Sequence, residues 1–267
     1  MPSTPVKRYN LSVSFLISRM RVPKLTFALL SFSSLLAAQN LPAGTALPVA
    51  VGTTLTAKGS KAGEKFSGKL MQEVRLPSGP VIPSGSHVTG HVVSAKKPGG
   101  GTSSLTVQFD QLQDEHRTIP LNVSVRAVVG SNSVFSAGLP SGNNTDQDPS
   151  DIWVTRQVGG EYVFRARGSV ESDKGKVGVW TRNGVWGKLQ ASDNCEDSQS
   201  NGDVQALWVF STTACGVYDL PETTLAHTGN TPPLGQVTLQ STKNVEIHGG
   251  SGWLLIVNPV AANAGGK

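Results

Sequence analysis

Between Leu41 and Val129 apolar residues recur at every second position, broken at short intervals by turn formers. This constrains the chain more than any other feature, because a period of two puts one face of a strand on a core and the other in water. In Lys65–Leu76 the even positions are Phe66, Gly68, Leu70, Gln72, Val74 and Leu76, and the odd ones are Lys65, Ser67, Lys69, Met71, Glu73 and Arg75. Val88, Gly90 and Val92 repeat the motif, followed by Leu105, Val107 and Phe109, then by Leu121, Val123, Val125 and Ala127. The segments LPSGP, IPSGS and KKPGGG lie between these runs and reverse the chain. No later stretch carries a helical period. The expected fold class is all-β, an antiparallel β-barrel or sandwich with a second, disulfide-linked β-region.

Charge enters only through its placement. The net charge is +5, with 23 basic and 18 acidic residues. Lys7, Arg8, Arg19, Arg21 and Lys24 all precede residue 40, where there is no acid, so the rest of the chain is balanced. A nucleic-acid partner is therefore not expected. From Met20 the chain reads as a basic segment, an apolar run from Leu25 to Leu36, then Ala37 and Ala38. This is the pattern of a secretory signal peptide over residues 1–39, cleaved near 37–40, with Met20 as an alternative start. The apolar run is short for a membrane span, so no permanent span is expected after cleavage; a retained anchor is the competing reading. Cys195 and Cys215 are the only cysteines. In an exported chain an even pair reads as one disulfide, worth ~3 kcal/mol through the unfolded state.

The expected organisation is a β-domain over 41–129, a linker or long loop over 130–151, a Trp-rich β-region over 152–259 able to complete the barrel, and a disordered tail over 260–267. In the Trp-rich region a hairpin is expected around Gly159-Gly160, and a second one at Asn183-Gly184, where both turn positions take positive φ.

The segments Leu41–Thr45 (LPAGT) and Ile82–Ser86 (IPSGS), followed by Gly90, resemble the C-terminal domain of the TrbI-like scaffold proteins of conjugative type IV secretion machines. The resemblance covers residues 41–129 and recurs at Gly235–Val257. It implies a β-barrel-like domain in the cell envelope. Those scaffolds also carry a membrane helix, a Pro-rich arm and an apolar insertion for which no counterpart is read here, so the resemblance implies the fold rather than the secretion function.

Candidate chemistry is sparse. His87 and His91 are four strand residues apart, about 13 Å, too far to share one ion. Ser94–Lys97, Ser192–Asn194 and His227–Gly229 follow the order of the motifs of penicillin-recognising serine enzymes, but Ser94 ends a strand where that nucleophile needs a helix N-terminus. The stretch NNTDQDPSD is oxygen-rich yet lacks the glycine and distal glutamate of a calcium loop. Glu64, Glu73, Asp110 and Glu115 fall on different turns and faces. Trp180 and Trp186 flank the Asn183-Gly184 turn, and their indoles form either a flat ligand platform or part of a core. No catalytic residue, cofactor or metal is assigned. The expected function is that of an exported, non-catalytic structural or interaction protein of the envelope: periplasmic, outer-envelope or secreted. Its expected partner is an envelope protein or a glycan. The alternatives are a carbohydrate-binding module and a component of a conjugative or secretion apparatus.

Overall fold

In the computed structural model the chain divides into Met1–Ala37 and Ala38–Lys267. The structure describes residues 40–77, 79–99, 101–115, 117–141, 154–192, 201–226 and 235–259, all in the second unit. The expected signal peptide, Cys195, the oxygen-rich loop and the tail lie outside the described residues.

The described chain is mostly strand. In order, the first half supplies β1 (Ala46–Val51), β2 (Leu55–Thr56), β3 (Lys65–Leu70), β4 (His87–Lys96), β5 (Ser103–Gln113), β6 (Thr118–Pro120) and β7 (Val123–Val129). The one described helix, α1 (Ser131–Ala137), follows, then β8 (Val154–Arg156), β9 (Tyr162–Phe164), β10 (Ser169–Ser172), β11 (Gly175–Thr181), β12 (Gly184–Lys188) and β13 (Val204–Ala206). The chain closes with β14 (Gly216–Tyr218), β15 (Thr223–Ala226), β16 (Gln236–Ser241), β17 (Glu246–Ile247) and β18 (Gly252–Val257).

Ten of these strands form one nearly closed, barrel-like sheet in the order β14-β7-β18-β1-β3-β4-β5-β16-β15, with β6 on β5. Its two end strands are consecutive in sequence, so the four residues Asp219–Glu222 bridge the seam. Asp219 and Glu222 both take positive φ (53° and 58°) to make that turn. Most pairs are antiparallel, but β14 runs parallel to β7, Gly216 opposite Ala127 and Tyr218 opposite Val129.

The alternation seen in the sequence sets the interior. Phe66, Leu70, Val88, Val92, Leu105, Val107 and Phe109 are buried inside, while Lys65, Lys69 and His87 on the same strands are exposed. Phe66, Phe109 and Trp253 stack edge to face along the interior, with centroids 5.3 and 5.5 Å apart. Gly90 makes room for this stack: a Cβ there would lie 2.4 Å from the Phe66 ring and 2.3 Å from the Gln108 carbonyl oxygen.

β18 explains how the second half is attached. It inserts between β1 and β7, and all six residues of GWLLIV are buried. Trp253, Leu255 and Val257 face the barrel interior, and Leu254 and Ile256 face a second core. A strand buried on both faces reads as a continuous apolar run rather than an alternation. The second core also takes Ala127 and Val129 from β7. The expectation that Ala127 follows Val123 and Val125 inward is corrected by a bulge: the β18 register shifts at Leu254/Leu255, and Arg126 and Ala127 both turn outward.

Against that outer wall packs a six-stranded antiparallel sheet, β13-β12-β11-β10-β9-β8. Its inner face carries Val163, Val170 and Val185, joined by Leu207 and Phe210. The Gly159-Gly160 hairpin is present as β8–β9, with both glycines at φ 106°. The second hairpin is present as β11–β12, but its turn lies one residue earlier than expected. Thr181 pairs with Gly184, Arg182 and Asn183 are the loop, and only Gly184 takes positive φ (136°). α1 differs from the loop expected over 130–151. It is too short for a readable period and is held by tertiary contacts, the Asp219 carboxylate accepting from Ser133 N–H at 3.1 Å and Ala137 joining the second core.

Candidate functional site

Gln72 is the most deeply buried of the side chains that clip the second sheet to the barrel rim. Gln72 continues the inward alternation of β3 and is 1% exposed. Its Nε2 donates to the Val185 carbonyl at 2.8 Å, and its Oε1 accepts from Val185 N–H and Trp208 N–H, both at 2.9 Å. The amide thus satisfies the Val185 N–H and shares the Val185 carbonyl with Leu207 N–H, which donates to it at 3.0 Å. Gly184 is required beside it, since a Cβ there would fall 2.1 Å from Gln72 Cδ.

The rim strip after Gln72 also decides what becomes of the tryptophan pair. In the β11–β12 register Trp180 lies opposite Val185 and Trp186 opposite Val179, so the two indoles point to opposite faces of the sheet. Trp186 is on the outward face yet only 3% exposed, because Arg75 lies over its ring at 4.2 Å and it joins the barrel core together with Ala206. The expected shared platform of Trp180 and Trp186 is therefore corrected. A two-residue turn flanked by tryptophans suggests a shared face only until the register is known.

Trp180 instead belongs to a concave site at the mouth of the second core. A cavity of about 200 Å³ opens there between the inner face of the sheet, the C-terminal end of α1 and the segment Trp208–Val209. Thr155 and Gln157, 3% and 5% exposed, contribute to its lining. The half-buried indoles of Trp180 and Trp208 line it, with Arg165 and Arg182. The Arg165 guanidinium stacks on Trp180 at 5.5 Å. Burial lowers the Arg165 pKa from its ordinary value. Gln157 Nε2 donates to the Trp208 and Phe210 carbonyls at 3.2 and 2.7 Å. Its Oε1 is buried with no hydrogen-bond partner. Trp208 holds φ at 52°, a left-handed conformation that bulky residues adopt only where the surroundings impose it. Trp208, Arg165, Arg182 and Gln157 carry no local sequence signal. They come from four separate segments and meet only once β8, β9, β11 and the 207–210 turn are in register.

The outward face of the same sheet carries arginine and aromatic side chains, with Glu171 opposite Tyr162 in the same row. Arg156 lies opposite Tyr162, and Phe164, Ser169 and Val179 form the adjacent cross-strand row. Arg156 stacks on Tyr162 at 5.8 Å and Arg167 on Phe164 at 5.2 Å. Val179 and Val204 are exposed, at 39% and 50%.

The remaining candidates stay apart. His91 Nδ1 lies 2.9 Å from the Asp110 carboxylate across β4–β5, and His87 is exposed on the same strand. Glu64 accepts from Lys61 N–H, and Glu73 pairs with Arg75 at 2.6 Å and accepts from the Asn183 amide at 2.9 Å. Among the described residues no three metal-ligating side chains converge, and no helix is long and apolar enough to cross a membrane.

Two buried charges hold the region around Cys215. Arg126, on the β7 bulge, donates from Nε to the Ala214 carbonyl at 2.9 Å and from Nη2 to the Gln190 carbonyl at 2.5 Å. Burial lowers its pKa, an effect partly offset by Tyr218. Glu161, in the β8–β9 turn, accepts from Thr212 N–H at 2.9 Å and from the Thr212 hydroxyl. Burial raises its pKa against the opposing pull of those two hydrogen bonds. Cys215 is 6% exposed, and there is no free thiol among the described residues.

No family model, curated protein or solved structure matches the chain.

Proposed function

We propose that the protein is an exported, non-catalytic recognition module of the cell envelope, in which a TrbI-like barrel holds up a second sheet that makes the contacts. The observation that carries this reading is the outward face of β8–β11, where Arg156 and Arg167 lie on Tyr162 and Phe164 beside an exposed Val179. Arginine and aromatic side chains on a rigid strand surface are the composition of a protein-binding hot spot. The two arginines outnumber the one carboxylate of the described row, Glu171, so the reading favours an acidic protein surface as the partner. A disulfide between Cys195 and Cys215 belongs to the same reading, as does a leader removed near residue 39. Arg126 supports the pairing by holding the Gln190 and Ala214 backbones that flank the two cysteines.

The test is expression of the full chain with a C-terminal tag in a bacterial host, followed by fractionation and capture of partners. The expected result is a shortened product in the envelope fraction and an acidic partner lost from the Arg156→Glu/Arg167→Glu variant. An unprocessed product in the cytosol, or capture unaffected by charge reversal, contradicts the reading.

A further inference from the structure

We propose that Asn183 is a site of spontaneous, one-way modification, in which its side-chain amide becomes a carboxylate and loosens the hold of the barrel rim on the second sheet. The site stands apart from the proposed recognition face and depends on no partner. Sequence and position supply the chemistry. Asn183 precedes Gly184, and a glycine puts no Cβ in the way when its backbone nitrogen approaches the preceding side-chain carbonyl. Arg182 and Asn183 are the exposed loop of the β11–β12 hairpin. Thr181–Gly184 is the last pair of its ladder, where local opening frees the glycine nitrogen at least cost. A bond forms from Gly184 N to Asn183 Cγ, and the bond from Cγ to Nδ2 breaks. The Gly184 nitrogen gives its proton to solvent, and Nδ2 takes one up and leaves as ammonia. Water then opens the resulting cyclic imide at either carbonyl. One opening gives an ordinary aspartate, the other an isoaspartate whose main chain is longer by a methylene. The net change is water in and ammonia out.

The contacts of Asn183 give the reaction its consequence. Its Nδ2 donates to Glu73 Oε2 at 2.9 Å, tying the hairpin turn to the rim strip beside Gln72. Conversion removes that donor and puts a second carboxylate in its place, so a hydrogen bond gives way to like-charge repulsion. Arg75 is already engaged, its Nε and Nη2 both on Glu73 Oε1 and its guanidinium over Trp186. The isoaspartate product lengthens the chain where there is no room for it. A Cβ on Gly184 would already lie 2.1 Å from Gln72 Cδ, and the next N–H, that of Val185, is held by Gln72 Oε1. The chain has a second described Asn-Gly pair, Asn201-Gly202, and there the outcome differs. Asn201 acts through Oδ1, which accepts from Asp203 N–H at 3.0 Å and from the Gln205 amide at 2.7 Å. A carboxylate keeps an oxygen for both, whereas at position 183 the lost group is the one that makes the contact.

The experiment ages the purified full chain at mildly alkaline pH. Tryptic cleavage after Arg182 and Lys188 then isolates the segment Asn183–Lys188, and melting is recorded at neutral pH. The segment is expected to become heavier by one mass unit, the difference between a hydroxyl and an amino group, and to accept methyl groups from an isoaspartyl methyltransferase. The melting temperature is expected to fall by about 2–4 °C in step with conversion. Asn183→Gln, whose imide ring closes far more slowly, is expected to hold its melting temperature on ageing, and Asn201→Gln to age as wild type does. Unaged Asn183→Asp is expected to show the same fall. In a Glu73→Gln background the effect of Asn183→Asp is expected to shrink at least about twofold, because the repulsion has lost its partner. Three results overturn the proposal. They are an Asn183–Lys188 segment left unchanged after the same peptide free in solution has converted, an Asn183→Asp variant as stable as wild type, and a fall of equal size with and without the Glu73 carboxylate.

Discussion

Gln72 shows how much of the assembly depends on single residues. The alternation of β3 puts it on an inward position where an apolar residue is the norm, and its amide spends three hydrogen bonds on Val185 and Trp208. Gln72→Ala leaves buried backbone groups unpaired, at about 1–3 kcal/mol each before relaxation. The expected loss in urea unfolding is about 3 kcal/mol, with Gln72→Leu no better. Glu161 supplies a pH test. Its carboxyl is raised above the ordinary 4.5 by burial. A raised folded-state pKa gives a contribution fully present below the unfolded value and lost as pH rises through the folded one. Wild type is therefore expected to lose stability relative to Glu161→Gln as pH rises above about 4.5, since glutamine keeps both contacts to Thr212 without the buried charge. Parallel urea midpoints from pH 4 to 8 read this difference directly.

At the scale of elements, β7, β18 and the β11–β12 hairpin carry the junction. Arg126 is the residue that the β7 bulge turns outward, and it joins the barrel wall to both segments flanking the proposed disulfide. Arg126→Ala is expected to cost about 3 kcal/mol, and Arg126→Lys to recover little, since one ammonium does not reproduce the two-directional guanidinium. Gly184→Ala is expected to cost at least about 2 kcal/mol, because the new Cβ meets Gln72 while φ is positive. The barrel strands were legible because each buries one face, so Val88, Val92, Leu105 and Val107 announce themselves two by two. β18 was legible as apolar but not as the shared wall of two cores, since GWLLIV has no alternation to say where its neighbours are. α1 was not legible, being seven residues long with no acidic or basic capping residue in its end turns. The site was the least visible part. Trp180 was singled out for the wrong pairing, because its cavity neighbour Trp208 lies 28 residues on and is brought there by the Gln72 and Gln157 contacts rather than by any turn motif.

At the scale of the whole molecule, two sheets share one wall. β18 is buried on both sides, so the barrel and the second sheet have no independent surfaces there, and they are expected to unfold together in one transition by both tryptophan fluorescence and far-ultraviolet circular dichroism. A rigid junction of this kind lets an outward face keep its geometry while it is engaged, which suits recognition. The claim that contacts are made by the second sheet and not by the barrel is open to site-specific photo-crosslinking in living cells. A photoreactive residue at Val179, on the outward face of β11, is compared with one at Thr89 on β4 of the barrel. The account predicts a discrete protein adduct from position 179 that disappears in the Arg156→Glu/Arg167→Glu background, and none from position 89. Adducts from position 89 alone, or from position 179 with undiminished yield after charge reversal, contradict it.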